Sequence, residues 1–398
     1  MVCRTIFNFH KKYLLKKIAP FILFLLVSCI TFSQTDSSRL CHLRISLLTC
    51  TPGTELYSTF GHSALRVTDS AANTDIIFNY GTFDFTDPGF YIKFVRGKLL
   101  YFVSVDEHQN FLDQYAYEKR GITEQVLNLS CQQKEKLLAA LNENAKEENK
   151  FYIYDFVYDN CTTRLRDMVF DSAGKMETKN IRPTTKITFR NLIHEYLNRT
   201  HQHWSKLGID ILLGAPLDKK LTNSEAMFLP DYLLKAFDST VTNGKPLVES
   251  KSVILNSTLP KPVKPLLTPF VAFSILLLLV VTLSFLPMAE KFLLFFDFLL
   301  FFFSGLLGVL LLFMWFGTDH LTTKNNLNLL WAFPFNMIAA FFIAKKRKWV
   351  SRYFFGYGIL LVLLLILWWP GPQQMNNSLL PVVALLLWRS VIYCRRLY

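Results

Sequence analysis

One cysteine and one histidine, Cys161 and His62, have the residue types and settings needed for covalent catalysis through a thiol. Cys161 opens a segment with helical spacing of apolar residues, and Asp159 or Asn160 supplies an N-cap just before it. The unpaired N–H groups and the dipole at a helix start stabilise a thiolate, the reactive form of cysteine. His62 follows Gly61 at the start of a predicted strand and could accept the thiol proton. Spacing alone, however, fits an inert buried cysteine and an unrelated histidine better.

The elements that must position this pair form an α+β domain. β-Branched and aromatic runs predict strands at residues 42–50, 62–68, 75–80 and 99–105. Helical spacing predicts helices at residues 107–119, at 131–144 after the cap Ser130, and from Cys161 onward. We therefore assign residues 34–172 to the thiol domain, 173–249 to a helical annex and 250–267 to a Pro-rich connector.

A secretory signal is predicted over residues 1–33. A basic stretch through Lys17 precedes an apolar run at residues 18–27 and then small and polar residues. Cleavage after Ser33 is the preferred interpretation, and a lipobox ending at Cys29 and an uncleaved anchor are the alternatives. All three place the thiol domain outside the cytoplasm.

Five apolar segments in the C-terminal third are each close to the roughly 20 residues that cross a bilayer. They are residues 268–286, 292–316, 327–344, 353–369 and 379–394. The formal net charge of +13 lies mostly in Lys and Arg clusters that flank these segments and the signal, which sets nucleic-acid binding aside. The clusters predict a multi-pass membrane protein with its thiol domain outside the cytoplasm. Asp297 falls near the inner end of the second segment, where we expect a later helix start and a solvated carboxylate.

Four cysteines fall in the exported domain, where disulfides could form. Cys41 and Cys50 flank a predicted strand that rises about 3.3 Å per residue, so they stand too far apart to pair with each other. Pairing of Cys131 with either of them stays open. Cys161 is expected to be free.

Two motifs around the candidate pair resemble a known family. Residues 60–66 (FGHSALR) and 158–164 (YDNCTTR) are similar to the His and Asn-Cys motifs of circularly permuted NlpC/P60, papain-like proteins. The whole chain from about Cys41 resembles, more closely, the Lnb-type lipoprotein N-acyltransferases of Bacteroides-like bacteria. Further matching stretches are residues 78–84, 208–214, 227–231 and 318–331.

The resemblance implies a papain-like α+β domain followed by an all-α bundle of five transmembrane helices. Cys161 would be the nucleophile and His62 the base. A polar group on the next strand would orient the imidazole, with Asn79 preferred over Asp84. Tyr80 would donate to the oxyanion.

Three further residues could bind substrate. Arg66 and Arg164 could hold a phosphate by bidentate contacts, although ion pairs with nearby Asp residues explain them at least as well. His320, in a loop between two spans, could contact a lipid headgroup, approach the thiol domain or simply be solvated. No cofactor is implied, and the histidines at residues 194–203 lack a carboxylate at a spacing diagnostic of a metal site.

The favoured function is a membrane-bound lipoprotein N-acyltransferase. Its partners would be a phospholipid acyl donor and a lipoprotein whose diacylglyceryl-cysteine amine accepts the chain from a Cys161 thioester. The alternatives are a membrane-tethered cysteine peptidase or amidase that acts on cell-wall peptides, and a non-catalytic sensor. Five spans argue against the hydrolase, because one anchor would tether it, and a reactive Cys-His pair argues against the sensor.

Overall fold

The computed structural model describes residues 41–260, 262–345 and 347–395. The predicted signal segment and its alternative processing sites lie outside the described residues. From Leu43 onward the chain forms an N-terminal domain of strands and helices and then a helical C-terminal region.

An antiparallel sheet forms the centre of the N-terminal domain. Its seven strands are β1 Leu43–Cys50, β2 His62–Asp69, β3 Thr74–Thr82, β4 Leu100–Glu107, β5 Ile122–Leu127, β6 Phe151–Ile153 and β10 Val248–Leu255. A separate small sheet contains the three strands that lie between β6 and β10 in the chain, β7 Met176–Thr178, β8 Thr240–Thr242 and β9 Lys245–Pro246. The order in the main sheet is β10-β5-β1-β2-β3-β4-β6, so β2 and β3 are central neighbours.

Helices cover both faces of the main sheet. They are α1 Phe90–Arg96, α2 His108–Tyr117, α3 Cys131–Ala145, α4 Cys161–Ala173, α5 Phe189–Arg199, α6 His203–Leu212, α7 Asn223–Ala226 and α8 Pro230–Ser239. Apolar residues of α3, α4 and α8 pack on one face of the sheet against Leu65 and Phe78. Phe111 and Tyr115 of α2 pack on the other face against Ile77. This burial of apolar surface holds α4 against β2 and β3.

The predicted strands and helices are confirmed to within two residues at most ends, but the predicted domain limits need correction. Residues 173–249 contain a small sheet as well as helices. Strand β10 lies largely inside the predicted connector and completes the main sheet, so the connector begins after Leu255. Because β10 is an edge strand with mostly exposed residues, its sequence lacks the apolar alternation that marks a half-buried strand.

The C-terminal region is helical. Its helices are α9 Pro269–Leu283, α10 Glu290–Phe316, α11 Asn336–Ala340, α12 Lys348–Ile366 and α13 Leu380–Arg395. Three stretches of the described chain are long and apolar enough to cross a membrane, namely Pro287–Phe316, Lys348–Ile366 and Asn377–Arg395. Helix α9 is apolar but only 15 residues long.

The third predicted span, residues 327–344, is not one helix. It consists of a 3-10 turn at Leu327–Leu330, the five-residue helix α11 and turns around them. Its backbone lies so close to α10 that a Cβ at Gly308 would clash with the Ala332 carbonyl oxygen. Pro334, which lacks an N–H, and Asn328, which donates to the Asp210 carbonyl at 2.9 Å, favour this broken path.

Asp297 is buried rather than solvated, so the expectation for it was wrong. Helix α10 begins at Glu290, well before Asp297. The Asp297 carboxylate accepts two hydrogen bonds of 2.6 Å from Arg389 of α13 and one from the Tyr393 hydroxyl. A carboxylate at this depth is tolerated because it is paired, and the pair joins α10 to α13.

Candidate active site

Asn160 fixes the position of Cys161 at the start of α4. Its Oδ1 accepts from the backbone N–H groups of Thr162 at 2.8 Å and Thr163 at 2.9 Å. Its Nδ2 donates to the Phe228 carbonyl at 2.9 Å, which ties the helix start to the segment before α8. The cap therefore holds Cys161 in the first helical turn, where the sequence predicted it.

His62 opens strand β2 beside Cys161. The preceding Gly61 has φ +80°, and a Cβ there would stand 2.8 Å from the Cys50 carbonyl oxygen, so the turn requires glycine. His62 Nε2 donates to Asn79 Oδ1 on β3 at 2.6 Å, and the Cys161 thiol lies close enough to the same ring to interact with it. Because Nε2 is bonded to Asn79, Nδ1 is the nitrogen left for the thiol.

The charges of this pair favour a thiolate. Burial raises the pKa of Cys161, but the His62 charge, the hydrogen bond to His62 and the Ser63 N–H together lower it by more. The resulting pKa is about 7, below the ordinary value of 9.0. Burial lowers the pKa of His62, and the neighbouring Cys161 and Asn79 more than offset this, so the net pKa is raised. A thiolate–imidazolium pair is the form that nucleophilic attack by cysteine requires.

Strand β3 approaches Cys161 closely at Gly81. This residue has φ +90°, and a Cβ there would stand 3.6 Å from Cys161 Cβ and 3.7 Å from the Tyr154 ring. The Tyr154 ring stacks on Tyr101 with centroids 4.4 Å apart. The sequence reasoning did not identify Gly81 or Tyr154. A glycine directly after a predicted strand was the available signal for a close backbone approach.

Arg66 and Arg164 are held in ion pairs. Arg66 makes bidentate contacts of 2.8 and 2.6 Å with Asp75 and a third contact of 3.1 Å with Glu124. Arg164 contacts both carboxylate oxygens of Asp159 at 2.6 and 2.7 Å and lies over the Tyr152 ring. Since a phosphate would have to displace these carboxylates, the ion-pair alternative describes both arginines.

Tyr80 does not suit its predicted oxyanion role. Its side chain is 1% exposed, and its hydroxyl donates to Met168 Sδ at 3.2 Å. A hydroxyl has one proton to donate, and Tyr80 donates it to a side chain of α4, so its role is to pack the core beneath that helix. Asp84, the less favoured partner for His62, is exposed and accepts from Thr86.

His320 approaches the N-terminal domain, which is one of the three alternatives for it. Its Nε2 donates to the Phe94 carbonyl at 3.0 Å, and its ring lies against Gly97. His320 thus contacts the end of α1.

A buried polar network that the sequence reasoning missed joins the domain to the helical region. Asp210 accepts from His194 at 2.8 Å, from Arg190 at 2.8 Å and from Asn376 at 2.8 Å. Among the described residues no cluster of three or more His, Cys, Asp or Glu side chains suits a metal ion. His194 is therefore part of a structural junction.

Two family models match the chain. The Lnb N-terminal periplasmic domain matches residues 32–195, which include His62, Asn79 and Cys161, and the Lnb transmembrane domain matches residues 261–398. The comparisons with curated proteins and with solved structures found no match. Together the two family matches cover well over half of the sequence. The chain therefore belongs to the Lnb family and is a bacterial membrane protein with a periplasmic N-terminal domain and a transmembrane domain.

Proposed function

We propose that this protein is a lipoprotein N-acyltransferase that uses Cys161 as its nucleophile, His62 as its base and Asn79 to orient the imidazole. The observation that carries the proposal is the position of Cys161 beside His62, whose ring is hydrogen-bonded to Asn79, in a domain that contacts the transmembrane region. The donor would be a phospholipid and the acceptor a lipoprotein, both in the inner membrane. The proposed architecture is a papain-like domain followed by five membrane-crossing segments, two of them too short or too irregular to span as single straight helices.

The first half-reaction forms a thioester. The Cys161 thiolate attacks an ester carbonyl of the phospholipid, so a C–S bond forms and the ester C–O bond breaks. The His62 imidazolium gives its proton to the leaving lysophospholipid oxygen. Asn79 accepts from Nε2 throughout, which keeps Nδ1 directed at the reacting atoms.

The second half-reaction transfers the acyl chain to the lipoprotein. The α-amine of the diacylglyceryl cysteine attacks the thioester, a C–N bond forms, and the C–S bond breaks to regenerate the thiolate. His62 accepts the proton that the amine loses. Cys161 is only 8% exposed, and a site with little water favours transfer to an amine over hydrolysis.

The helix start offers a donor for the oxyanion. The Asn160 side chain accepts hydrogen bonds from the N–H groups of Thr162 and Thr163 and does not accept one from the Cys161 N–H. An N–H in the first turn of a helix has no intrahelical acceptor. The Cys161 N–H would therefore stabilise the negative charge on the carbonyl oxygen, the role that we expected for Tyr80.

The contacts between the domain and the membrane region favour a lipid substrate over a cell-wall peptide. Asn326 donates to the Ile211 carbonyl at 2.7 Å, and Gln373 donates to the Leu213 carbonyl at 3.3 Å. With the Asp210 network, these contacts hold the end of α6 against two loops of the helical region. A tether would not need such contacts, whereas an enzyme whose substrates lie in the bilayer must hold its site at the surface.

A reconstituted reaction tests this function. The full chain in phosphatidylethanolamine and phosphatidylglycerol vesicles would be given a diacylglyceryl-cysteine peptide, and the peptide mass would be measured. We expect a gain of one acyl chain on the α-amine and an equal amount of lysophospholipid. The Cys161→Ala variant should give neither product, and Cys50→Ala should give both. Release of free fatty acid with no acylated peptide, or cleavage of a cell-wall peptide, would contradict the proposal.

A further inference from the structure

Helix α1, Phe90–Arg96, is fixed to the loop that follows the longest span. The Asp319 N–H donates to the Arg96 carbonyl at 3.0 Å, and His320 Nε2 donates to the Phe94 carbonyl at 3.0 Å. This loop begins where α10 ends at Phe316. Since α10 crosses the membrane, these contacts place the C-terminal end of α1 close to the point where the chain leaves the bilayer.

The outer face of α1 is apolar and exposed. Tyr91 is 77% exposed, Ile92 69% and Phe94 50%, and Phe85 in the preceding loop is 64% exposed. Phe90, in contrast, is 8% exposed and packs against Phe85 and Phe94. A helix that buries one ring and presents several large apolar side chains on its other face has a surface that favours contact with an apolar phase.

Basic side chains lie beside this surface, as they do in segments that rest at a membrane interface. Arg96 is exposed, and Lys93 is half exposed and contacts Asp87 at 2.6 Å. Asp87 neutralises Lys93, but Arg96 at this level can meet a lipid phosphate while the neighbouring aromatic rings enter the acyl boundary. Charge and apolarity thus both suit a lipid surface.

We propose that α1 and Phe85 insert into the periplasmic leaflet of the membrane that the chain crosses. The occupant of the exposed face is phospholipid, with the rings of Phe85, Tyr91 and Phe94 at the level of the acyl boundary. This contact goes beyond the acyl-transfer reaction and does not depend on it.

The inserted surface continues toward the thiol. Phe83 lies with its ring centroid 4.7 Å from that of Phe85 and 5.2 Å from that of Tyr101. Tyr101 stacks on Tyr154, and Tyr154 lies beside Gly81 and Cys161. A row of aromatic rings therefore connects the lipid-contacting helix to the nucleophile.

Photo-crosslinking tests the insertion directly. Ile92 would be replaced by p-benzoyl-phenylalanine in the full chain, which would be reconstituted in phosphatidylethanolamine and phosphatidylglycerol vesicles and irradiated. Intact mass would then report phospholipid adducts. The control places the same photo-crosslinker at Val241, a 36% exposed valine on β8 in the small sheet. We expect several-fold more phospholipid adduct at Ile92 than at Val241.

Two results would overturn the insertion. Equal phospholipid adducts at Ile92 and Val241 would show that α1 stands clear of the bilayer. Crosslinks from Ile92 to residues 1–40 of the same chain, or to a second copy, would show that protein covers the face instead. Neither result depends on acyl transfer, so the insertion can fail while the proposed reaction stands, and the reverse also holds.

Discussion

Two buried cysteines of the N-terminal domain lie near the same histidine and differ in the state of their thiols. Cys50 ends β1 opposite His62 in the strand register, and Cys161 begins α4 beside the His62 ring. Both are free thiols. Burial raises the pKa of Cys50 to about 12, although Arg120 and a hydrogen bond with Tyr115 lower it somewhat. The pKa of Cys161 is lowered to about 7.

The difference shows that neither burial nor closeness to a histidine makes a thiol reactive. The His62 ring and the Ser63 N–H stabilise negative charge on the Cys161 sulfur, whereas Cys50 lies beside the Tyr115 phenol in an apolar cluster. Ionisation depends on which groups stabilise the charge. The helix start and the orientation of His62 are therefore the features that separate the proposed nucleophile from a core residue.

The largest expected effect comes from removing each thiol in turn. Cys161→Ala should lower acyl transfer by at least about 10³-fold, because the nucleophile and its base act as a unit. Cys50→Ala should keep activity within a few-fold of the parent. Transfer rates measured with phospholipid vesicles, together with thermal unfolding of both variants, check this. Equal losses in two folded variants would contradict the distinction between the thiols.

Removing the imidazole should make the two thiols more alike. In His62→Ala, the pKa of Cys161 should rise from about 7 toward its ordinary value of 9.0, because the positive partner is gone. Since only the thiolate alkylates, the iodoacetamide rate in the parent should fall as pH drops through about 7, and in the variant this fall should occur at higher pH. Peptide mass spectrometry separates alkylation at Cys161 from that at Cys50. An unshifted Cys161 profile would show that His62 does not set its ionisation.

Removing the group that orients the imidazole should have a smaller effect. Asn79→Ala leaves His62 in place but frees its Nε2, so we expect roughly a 10²-fold loss in transfer rate. The loss should fall on kcat, and Cys161 should remain open to alkylation. Asn79→Gln is the matched variant that keeps the amide and moves it outward. A fully active Asn79→Ala protein would assign the 2.6 Å contact a purely structural role.

The smallest effect is expected at Tyr80. Tyr80→Phe removes only the hydroxyl that donates to Met168, which should cost about 0.5–1.5 kcal/mol of stability. The transfer rate should change less than twofold if the Cys161 N–H stabilises the oxyanion. Thermal unfolding and initial rates measure the two quantities. A large loss of kcat with unchanged stability would restore Tyr80 as the oxyanion donor.

Local patterns carried most of what the sequence predicted correctly. The N-cap at Asn160, the helix after it and the strand that begins at His62 depend on neighbouring residues, so their positions could be predicted. The choice of Asn79 as the partner of His62 came from the resemblance, and the structure brings the two together. Of the two open disulfide pairings, the one with Cys50 is excluded because Cys50 is a free thiol.

The features that could not be predicted depend on tertiary packing. Asp297 and Arg389 are 92 residues apart, and nothing in either segment shows that they meet. The Tyr80 hydroxyl could have faced the site or the core, and only the packing of Met168 decides. The third segment is as apolar as a membrane span, so its sequence showed no sign that its helix is broken. Its turns are tolerated because the backbone of α10 and the Asn328 contacts surround them, which lipid could not do.

Trapping the covalent intermediate is the most direct test of the central claim. The purified full chain would be incubated with phosphatidylethanolamine and phosphatidylglycerol vesicles without an acceptor, and its intact mass and peptides would be measured. We predict the added mass of one acyl chain on Cys161, absent in Cys161→Ala and present in Cys50→Ala, that is lost on addition of hydroxylamine or of a diacylglyceryl-cysteine peptide. A chain that acylates the peptide without ever carrying an acyl group on Cys161, or that carries it on another residue, would contradict the thioester mechanism.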